Sequence, residues 1–274
     1  MLQSIFANLN LTKKLTFSFL LLAFIPVAIV TAISMNTMYN ERLEQIDQHN
    51  IYLARLKAGD MAETLMNQAH FMEALSETEA VRSMDKDRME HILQVAKKDS
   101  PTVSNLFICD INGQQIARDS GNYVNVADRD YIKAVLQQGK QYAFSDATIS
   151  KATNKVMIIA AVPIKNEQGA IIGAMASTFN MDTLQTLLNE NTNLLNDRKE
   201  VIYLTDSKGN VMIHPEQKFV ETITNWNAMA PVKSAADGKA ASMEYVNADG
   251  TDCLAASAPV GSMGWGLVVE NDRS

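Results

Sequence analysis

Ala127–Ser150 reads ADRDYIKAVLQQGKQYAFSDATIS. Asp128 stands where a side-chain oxygen caps a helix, Arg129–Gln138 carries the helix, and Gly139 ends it. The run then turns into a strand over Tyr142–Ile149. Upstream, Asn105–Asp110 and Gln115–Arg118 flank the turn residues Asn112-Gly113 and predict a hairpin. Downstream, Val156–Ile164 and Ala170–Phe179 read as further strands, separated by turns at Lys151–Lys155 and Asn166–Gly169. A helix over Met181–Glu190 follows, with Asp182 near its start. This order predicts an α+β module, a curved antiparallel sheet with helices packed on it.

The same pattern returns further along. Asp110-Ile111-Asn112-Gly113 matches Asp206-Ser207-Lys208-Gly209, and Ala161-Val162-Pro163-Ile164 matches Ser257-Ala258-Pro259-Val260, both at a spacing of 96 residues. Val201–Thr205, Val211–His214 and Trp265–Glu270 read as strands of this second copy. Two landmarks at one spacing predict an internal repeat, hence two antiparallel-sheet modules in tandem. Residues shared at that spacing serve the scaffold, and residues unique to one copy are candidates for function. At a spacing of 96, Arg129 faces Asn225 and Asp146 faces Ser242, so both are assigned to the first copy alone.

Before the modules, Leu15–Asn40 carries no charge, and Leu15–Ser34 is mostly apolar. A bilayer-spanning helix needs about 20 such residues. Lys13 and Lys14 precede the run and Glu41 follows it, which places Met1 inside the cell and the rest outside. An uncleaved anchor is preferred to a signal peptide, whose apolar core is shorter. Thr37 to about Leu75 then holds no Pro and one Gly, with Leu43, Ile46, Leu53, Leu56, Met61, Leu65, Ala69 and Met72 near helical spacing. It reads as one long helix rather than two broken at Gly59-Asp60. A second helix over Asp85–Lys98 is stopped by Pro101. The expected organisation is a cytoplasmic N-terminus (1–14), a transmembrane helix (15–36), a stalk of helices (37–100), a first sheet module (101–192) and a second (193–274), with a single membrane pass.

The totals remove several function classes. The 274 residues carry a net charge of −7 and no basic stripe, which argues against a nucleic-acid partner. The two cysteines, Cys109 and Cys253, sit in apolar strand-like runs and read as small buried hydrophobes. The four histidines are scattered, and neither a metal-ligand spacing nor a nucleophile motif is present, so neither an enzyme nor a metal or other cofactor is expected.

In the first module, the planar donor fork of Arg129 suits a carboxylate bidentately, at a helix start whose free N–H groups favour anions. Tyr131 adds a hydroxyl and a flat wall, and Asp146 lies on the following strand. The residues alone leave two readings for each charge. Arg129 is a carboxylate clamp or a surface residue paired with Asp128 or Asp130. Asp146 holds a donor or is a solvated strand end.

The anchor, the long helix and the runs Asp128-Arg129-Asp130-Tyr131, Phe144-Ser145-Asp146, Ser150-Lys151-Ala152-Thr153 and Ala161-Val162-Pro163-Ile164 together resemble the double Cache sensor family. Such domains are the extracytoplasmic parts of many bacterial methyl-accepting chemotaxis proteins and of some sensor kinases. The resemblance covers about Thr37 to Glu270. It implies two PAS-like modules, a homodimer in the inner (plasma) membrane, and a small-molecule ligand in the membrane-distal module. Arg129 matches the family's carboxylate-binding Arg and Tyr131 its following aromatic. Phe144 stands at the Tyr of a Tyr-x-Asp motif, Asp146 at its Asp, and Thr178 where a final Asp is usual. Tyr123 lies one residue from the expected aromatic spacing. With a hydroxyl at 178 in place of an acid, the resemblance implies a small carboxylate such as lactate, acetate or a dicarboxylate. An amino acid or nucleobase, and a kinase or cyclase output, are the alternatives.

Overall fold

The computed structural model describes residues 11–150, 156–190 and 200–273. The expected N-terminal segment up to residue 10, the turn at Lys151–Lys155 and the run Lys151–Thr153 lie outside these. Contacts divide the chain into two units, Met1–His49 and Asn50–Ser274.

One helix, α1, runs over Leu11–Ser76 through Pro26 and, unbroken, through Gly59-Asp60. In the first unit its apolar side chains are exposed, Phe19 by 70% and Leu22 by 75%. The Thr16, Thr31 and Thr37 hydroxyls donate to backbone carbonyls one turn back, at 2.9, 2.8 and 3.0 Å. These three hydroxyls are thereby satisfied within the helix. The stretch is long and apolar enough to cross a membrane, with a mean hydropathy of 1.6.

The second unit holds everything else. Short α2 (Glu79–Arg82) and α3 (Lys86–Lys98) follow, α3 being capped by Asp85 through the Arg88 amide. Then come β1 (Val103–Asp110), β2 (Gln115–Arg118), α4 (Asp130–Leu136), β3 (Ala143–Phe144), β4 (Thr148–Ile149), β5 (Val156–Met157), β6 (Ile159–Lys165), β7 (Ile171–Phe179) and α5 (Met181–Asn189). The second copy is β8 (Val201–Thr205), β9 (Val211–Ile213), a 3₁₀ turn at Gln217–Phe219, α6 (Ala230–Ala236), β10 (Ala241–Val246), β11 (Asp252–Val260) and β12 (Trp265–Asp272). The two five-stranded antiparallel sheets have the orders β2-β1-β7-β6-β3 and β9-β8-β12-β11-β10, one topology used twice.

Both faces of each sheet are covered, so the inner strands are apolar runs rather than alternations. Leu106, Ile108, Ala160, Val162 and Met175 of the first sheet share one core with Leu204, Ala258, Leu267 and Val269 of the second. The α1 residues Leu53, Ala54, Met61, Leu65 and Met72 belong to that same core. Each fully buried Leu or Met there stabilises by about 1.5–3 kcal/mol. The opposite faces carry α4 over Phe107, Ile159 and Ala176, and α6 over Tyr203, Ala255 and Val268.

The repeat holds in atomic detail. Ile108 pairs with Ala117 and Leu204 with Ile213, and the register shifts at the next residue in both hairpins. Gly113 and Gly209 adopt φ of 73° and 79°. A Cβ on either would lie 2.6 Å from the Cα of Ala127 or Asn227. Gly113→Ala and Gly209→Ala are each expected to destabilise by about 2–4 kcal/mol in urea titrations, from left-handed strain plus overlap.

These contacts also correct the comparison between copies. Gly113 meets Ala127, whereas Gly209 meets Asn227, so beyond the hairpin the spacing is 100 residues and not 96. The cause is four further residues between His214, the equivalent of Arg118, and α6. Arg129 and Met229 are the equivalent residues, each the N-cap of its helix and each donating its amide to the carbonyl three residues back, Val126 or Trp226. Arg129 does not correspond to Asn225. The pairings Phe144↔Ala160 and Ser242↔Ala256 carry the register on so that Asp146 corresponds to Glu244, not Ser242. An acid therefore occurs in both copies, and only Arg129 keeps its uniqueness.

Other expectations shift locally. Asp128 is not the helix cap; Arg129 occupies that position without a side-chain cap. Asn180 caps α5 through the Thr183 amide, and Asp182 lies in its first turn as expected. The expected strand Tyr142–Ile149 is two pieces, β3 and β4, because the residues between them bond to the second module. Cys109 and Cys253 are free and buried, and burial raises their thiols to about 12 and about 11, leaving them inert at neutral pH.

Candidate functional site

The N-terminus of α4 is flanked by two hollows. The first is a cavity of about 50 Å³ between α4, the β2 edge and the outer face of the first sheet. Phe107, Val126, Ile159 and Met157 form its apolar walls, while Gln115, Arg118, Arg129, Tyr131, Thr148 and Thr178 supply polar groups. Among the described residues no Asp or Glu lines it. Tyr131, Thr178 and Gln115 are 4%, 6% and 3% exposed, so their polar atoms face the interior rather than bulk water.

Local bonds fix the two guanidinium groups. Arg129 Nη1 donates to Thr148 Oγ1 and Nη2 to the Ile149 carbonyl, both at 3.0 Å. Arg118 Nε donates to the Ser120 carbonyl and Nη1 to Gln115 Oε1, both at 2.8 Å, and its guanidinium carbon lies 5.7 Å from the Phe107 ring centroid. Gln115 Oε1 also accepts from the Val124 amide. Burial draws the Arg118 guanidinium below its ordinary value, with neighbouring Asp119 acting the other way. Asp119 is itself engaged by Lys97 at 2.7 Å and by the Leu106 amide at 2.8 Å. Among the described residues neither guanidinium makes an ion pair with a carboxylate. Burial holds the Tyr131 phenol well above the usual tyrosine range, so it is a neutral hydroxyl.

The second hollow is an open groove of about 870 Å³ between the modules. Its walls include Arg129, Tyr131, Phe144 and Asp146, together with Asp128, Asp130, Ser207, Lys208 and Trp265. Asp146 is spent there on the second module. Its carboxylate accepts from Ser207 Oγ at 2.9 and 3.0 Å and from the Ser207 amide at 3.3 Å, and Lys208 Nζ lies 3.3 Å away. The Ala147 amide donates to Asp206 Oδ2 at 3.0 Å. Phe144 packs edge-on to Trp265 with centroids 6.2 Å apart. Tyr123 lines neither hollow; its hydroxyl bonds to Glu90 and its ring meets Lys86.

The smaller cavity thus gathers Arg129, Tyr131 and Thr178 and leaves out Phe144, Asp146 and Tyr123. Sequence reading did not select Arg118, Gln115 or Thr148. For Arg118 a signal existed, since His214 stands 96 residues on and the arginine is therefore unique to the first copy. Among the described residues no three His, Cys, Asp or Glu side chains are placed to hold a metal ion.

In the second module, side chains occupy the equivalent space. Tyr203, His214, Trp226 and Glu270 stand where the first has Phe107, Arg118, Val126 and Thr178; Ala255↔Glu270 repeats the pairing Ile159↔Thr178. The four extra residues lie in the loop that brings in Phe219. His214, Phe219 and Trp226 pack with centroids 4.7 to 5.4 Å apart, and Tyr203 lies 5.0 Å from Trp226. Tyr245 bonds to the buried Glu270 beside them. Burial lowers His214 from 6.5 to about 4, so the folded state favours neutral imidazole. Stability from this group is complete above the unfolded value and is lost as pH falls from about 6.5 to about 4. Urea denaturation is expected to reveal a loss of about 2–3 kcal/mol across that window, absent in His214→Asn.

Residues 34–274 match the family model described as Cache domain. No curated protein matches the chain. Among solved structures, the extracellular domain of the putative histidine kinase rpHK1S-Z16 is similar at 15% identity and a TM-score of 0.74, covering 84% of this chain and 96% of that one. The ligand-binding domain of the Pseudomonas fluorescens chemoreceptor CtaA, in complex with L-serine, gives 15%, 0.66, 84% and 98%. The periplasmic sensory domain of the Campylobacter jejuni chemoreceptor Tlp1 gives 14%, 0.64, 84% and 96%. Identities this low speak for the fold and not for the ligand. With the tandem sheets, the shared α1 core and the match over residues 34–274, this chain belongs to the Cache domain family.

Proposed function

We propose that the chain is the extracytoplasmic sensor of a chemoreceptor and that its first module binds a small carboxylate. One observation carries the reading: a small, partly open cavity lined by two guanidinium groups and, among the described residues, by no acid. Such a site favours an anion by charge-assisted hydrogen bonds, each contributing about 1.5–3 kcal/mol. An α-ammonium would sit beside two cations with no lining carboxylate among the described residues to receive it, which disfavours an amino acid. The groove between the modules is open and carries Asp128, Asp130 and Asp146 beside Arg129, Lys140 and Lys208, so its charges are mixed rather than uniformly cationic.

In this reading 15–36 anchors the chain in the inner membrane, 37–100 forms the stalk, 101–192 is the membrane-distal module and 193–274 the proximal one, in a homodimer. The output is binding, without turnover. Transmission starts at Arg129. A carboxylate competes for the guanidinium now bonded to Thr148 and Ile149. The segment so released also carries Asp146 and Ala147, which hold Ser207 and Asp206 of the second module. A ligand shifts the module arrangement only by its differential affinity for the two states.

The test is a thermal-shift screen of the full chain in lipid nanodiscs against small carboxylates, amino acids and nucleobases. A matched carboxylate at about 100 times its Kd raises the melting temperature by about 5–10 °C. Stabilisation by amino acids or nucleobases alone would overturn the carboxylate assignment.

A further inference from the structure

We infer that the ligand is a short dicarboxylate, with Arg129 holding one carboxylate and Arg118 the other. This rests on the site proposed above and concerns what the second guanidinium adds.

Both arginines belong to one cavity but come from different elements. Arg129 caps α4, and Arg118 ends β2. Each is held at the wall by bonds to neutral acceptors: Thr148 and Ile149 for one, Gln115 and Ser120 for the other. Gln115 and Phe107, the partners that fix the Arg118 guanidinium, are themselves cavity walls. Two half-buried cations thus line one small cavity in which, among the described residues, no lining carboxylate offsets them. A monocarboxylate neutralises one of them, whereas a ligand with an acid at each end answers both. Thr178 and Tyr131, buried and neutral, line the space and suit carboxylate oxygens or a hydroxyl on the spacer.

Size sets the spacer. About 50 Å³ holds roughly three to five waters. That suits two carboxylates joined by one or two carbons rather than a long-chain diacid or a ring system. The second module supports the assignment by contrast. It replaces Arg129 with Met229 and Arg118 with His214, held neutral at neutral pH, and fills the space with aromatic rings.

The experiment is a calorimetric titration of the full chain in nanodiscs with acetate, propionate, malonate, succinate and the monoamide of succinate. Malonate or succinate is expected to bind at least about 10-fold more tightly than the monocarboxylates and the monoamide. Arg118→Gln is expected to lower dicarboxylate affinity about 10-fold or more and monocarboxylate affinity less than about threefold, collapsing the preference. Arg118→Lys, which keeps the charge, should retain part of it. The melting temperature of each ligand-free variant confirms folding. Equal wild-type affinity for mono- and dicarboxylates, or a preference that survives Arg118→Gln, overturns the inference while leaving the Arg129 site standing. Binding of none of these acids overturns both.

Discussion

Replacing Arg129 by Gln weakens binding of the small carboxylate by about 10- to 150-fold, the equivalent of one charge-assisted hydrogen bond removed from a partly buried site. The side chain now makes two 3.0 Å bonds, to Thr148 and Ile149, and both contacts sit at the cavity wall. Gln keeps a donor but loses the charge and the fork, so the effect falls on the ligand more than on the fold. The ligand-free protein is expected to lose only about 1 kcal/mol, because the arginine is partly exposed and its partners are neutral. The matched control is Met229→Gln, at the equivalent position of the second module. It is expected to leave carboxylate affinity within about threefold. Titration calorimetry on the three proteins checks this; equal losses in both variants would place the ligand elsewhere.

Asp206→Ala has the largest expected effect on stability. Asp206 is 1% exposed, and its carboxylate accepts from the Lys208 and Asn210 amides and from Asn210 Nδ2 at 2.8 Å each, and from the Ala147 amide at 3.0 Å. The first three bonds close its own turn, and the fourth ties that turn to the first module. Truncation leaves four donors without their acceptor, an expected cost of about 3–5 kcal/mol. Asp110, its equivalent in the first copy, accepts among the described residues from Asn112 and Gln114 alone and is less buried. Asp110→Ala is expected to cost about 1–2 kcal/mol. Urea denaturation of the two variants compares them directly. Equal costs would mean that the link to Ala147 contributes nothing to holding the modules together.

What was legible in the sequence was what local chemistry decides. The Asp-x-x-Gly turns need a side-chain acceptor and a left-handed glycine wherever they occur, so both hairpins and the strands Gln115–Arg118 and Val201–Thr205 could be placed from residues alone. The tandem architecture followed from the repeat of those turns. The strand expected over Tyr142–Ile149 failed at its middle because Asp146 and Ala147 are claimed by Ser207 and Asp206, about 60 residues away in sequence, which no local pattern encodes. Helix α6 and strand β10 had too weak a periodicity to be named in advance.

The candidate site was legible in part for a similar reason. Arg129, Tyr131 and Thr178 reach one cavity because α4 and β7 share a face of the sheet. Phe144 and Asp146 lie just beyond, turned toward the second module, and Tyr123 packs against α3. The equivalence of Arg129 with Met229 was hidden by the loop carrying Phe219, whose extra residues break a single spacing. That loop also explains the difference between the copies, since the ring it brings in helps occupy the space that the first module leaves open.

The central claim is that a small carboxylate binds inside the first module, on Arg129. A crystal structure of the chain grown with the acid that stabilises it most tests this directly. The predicted result is density for the ligand between α4 and the sheet, with a carboxylate on the Arg129 guanidinium, Tyr131 and Thr178 beside it, and the second module closed over its own aromatic rings. Density for the ligand in the groove between the modules or in the second module, with the Arg129 guanidinium still on Thr148 and Ile149, would contradict it.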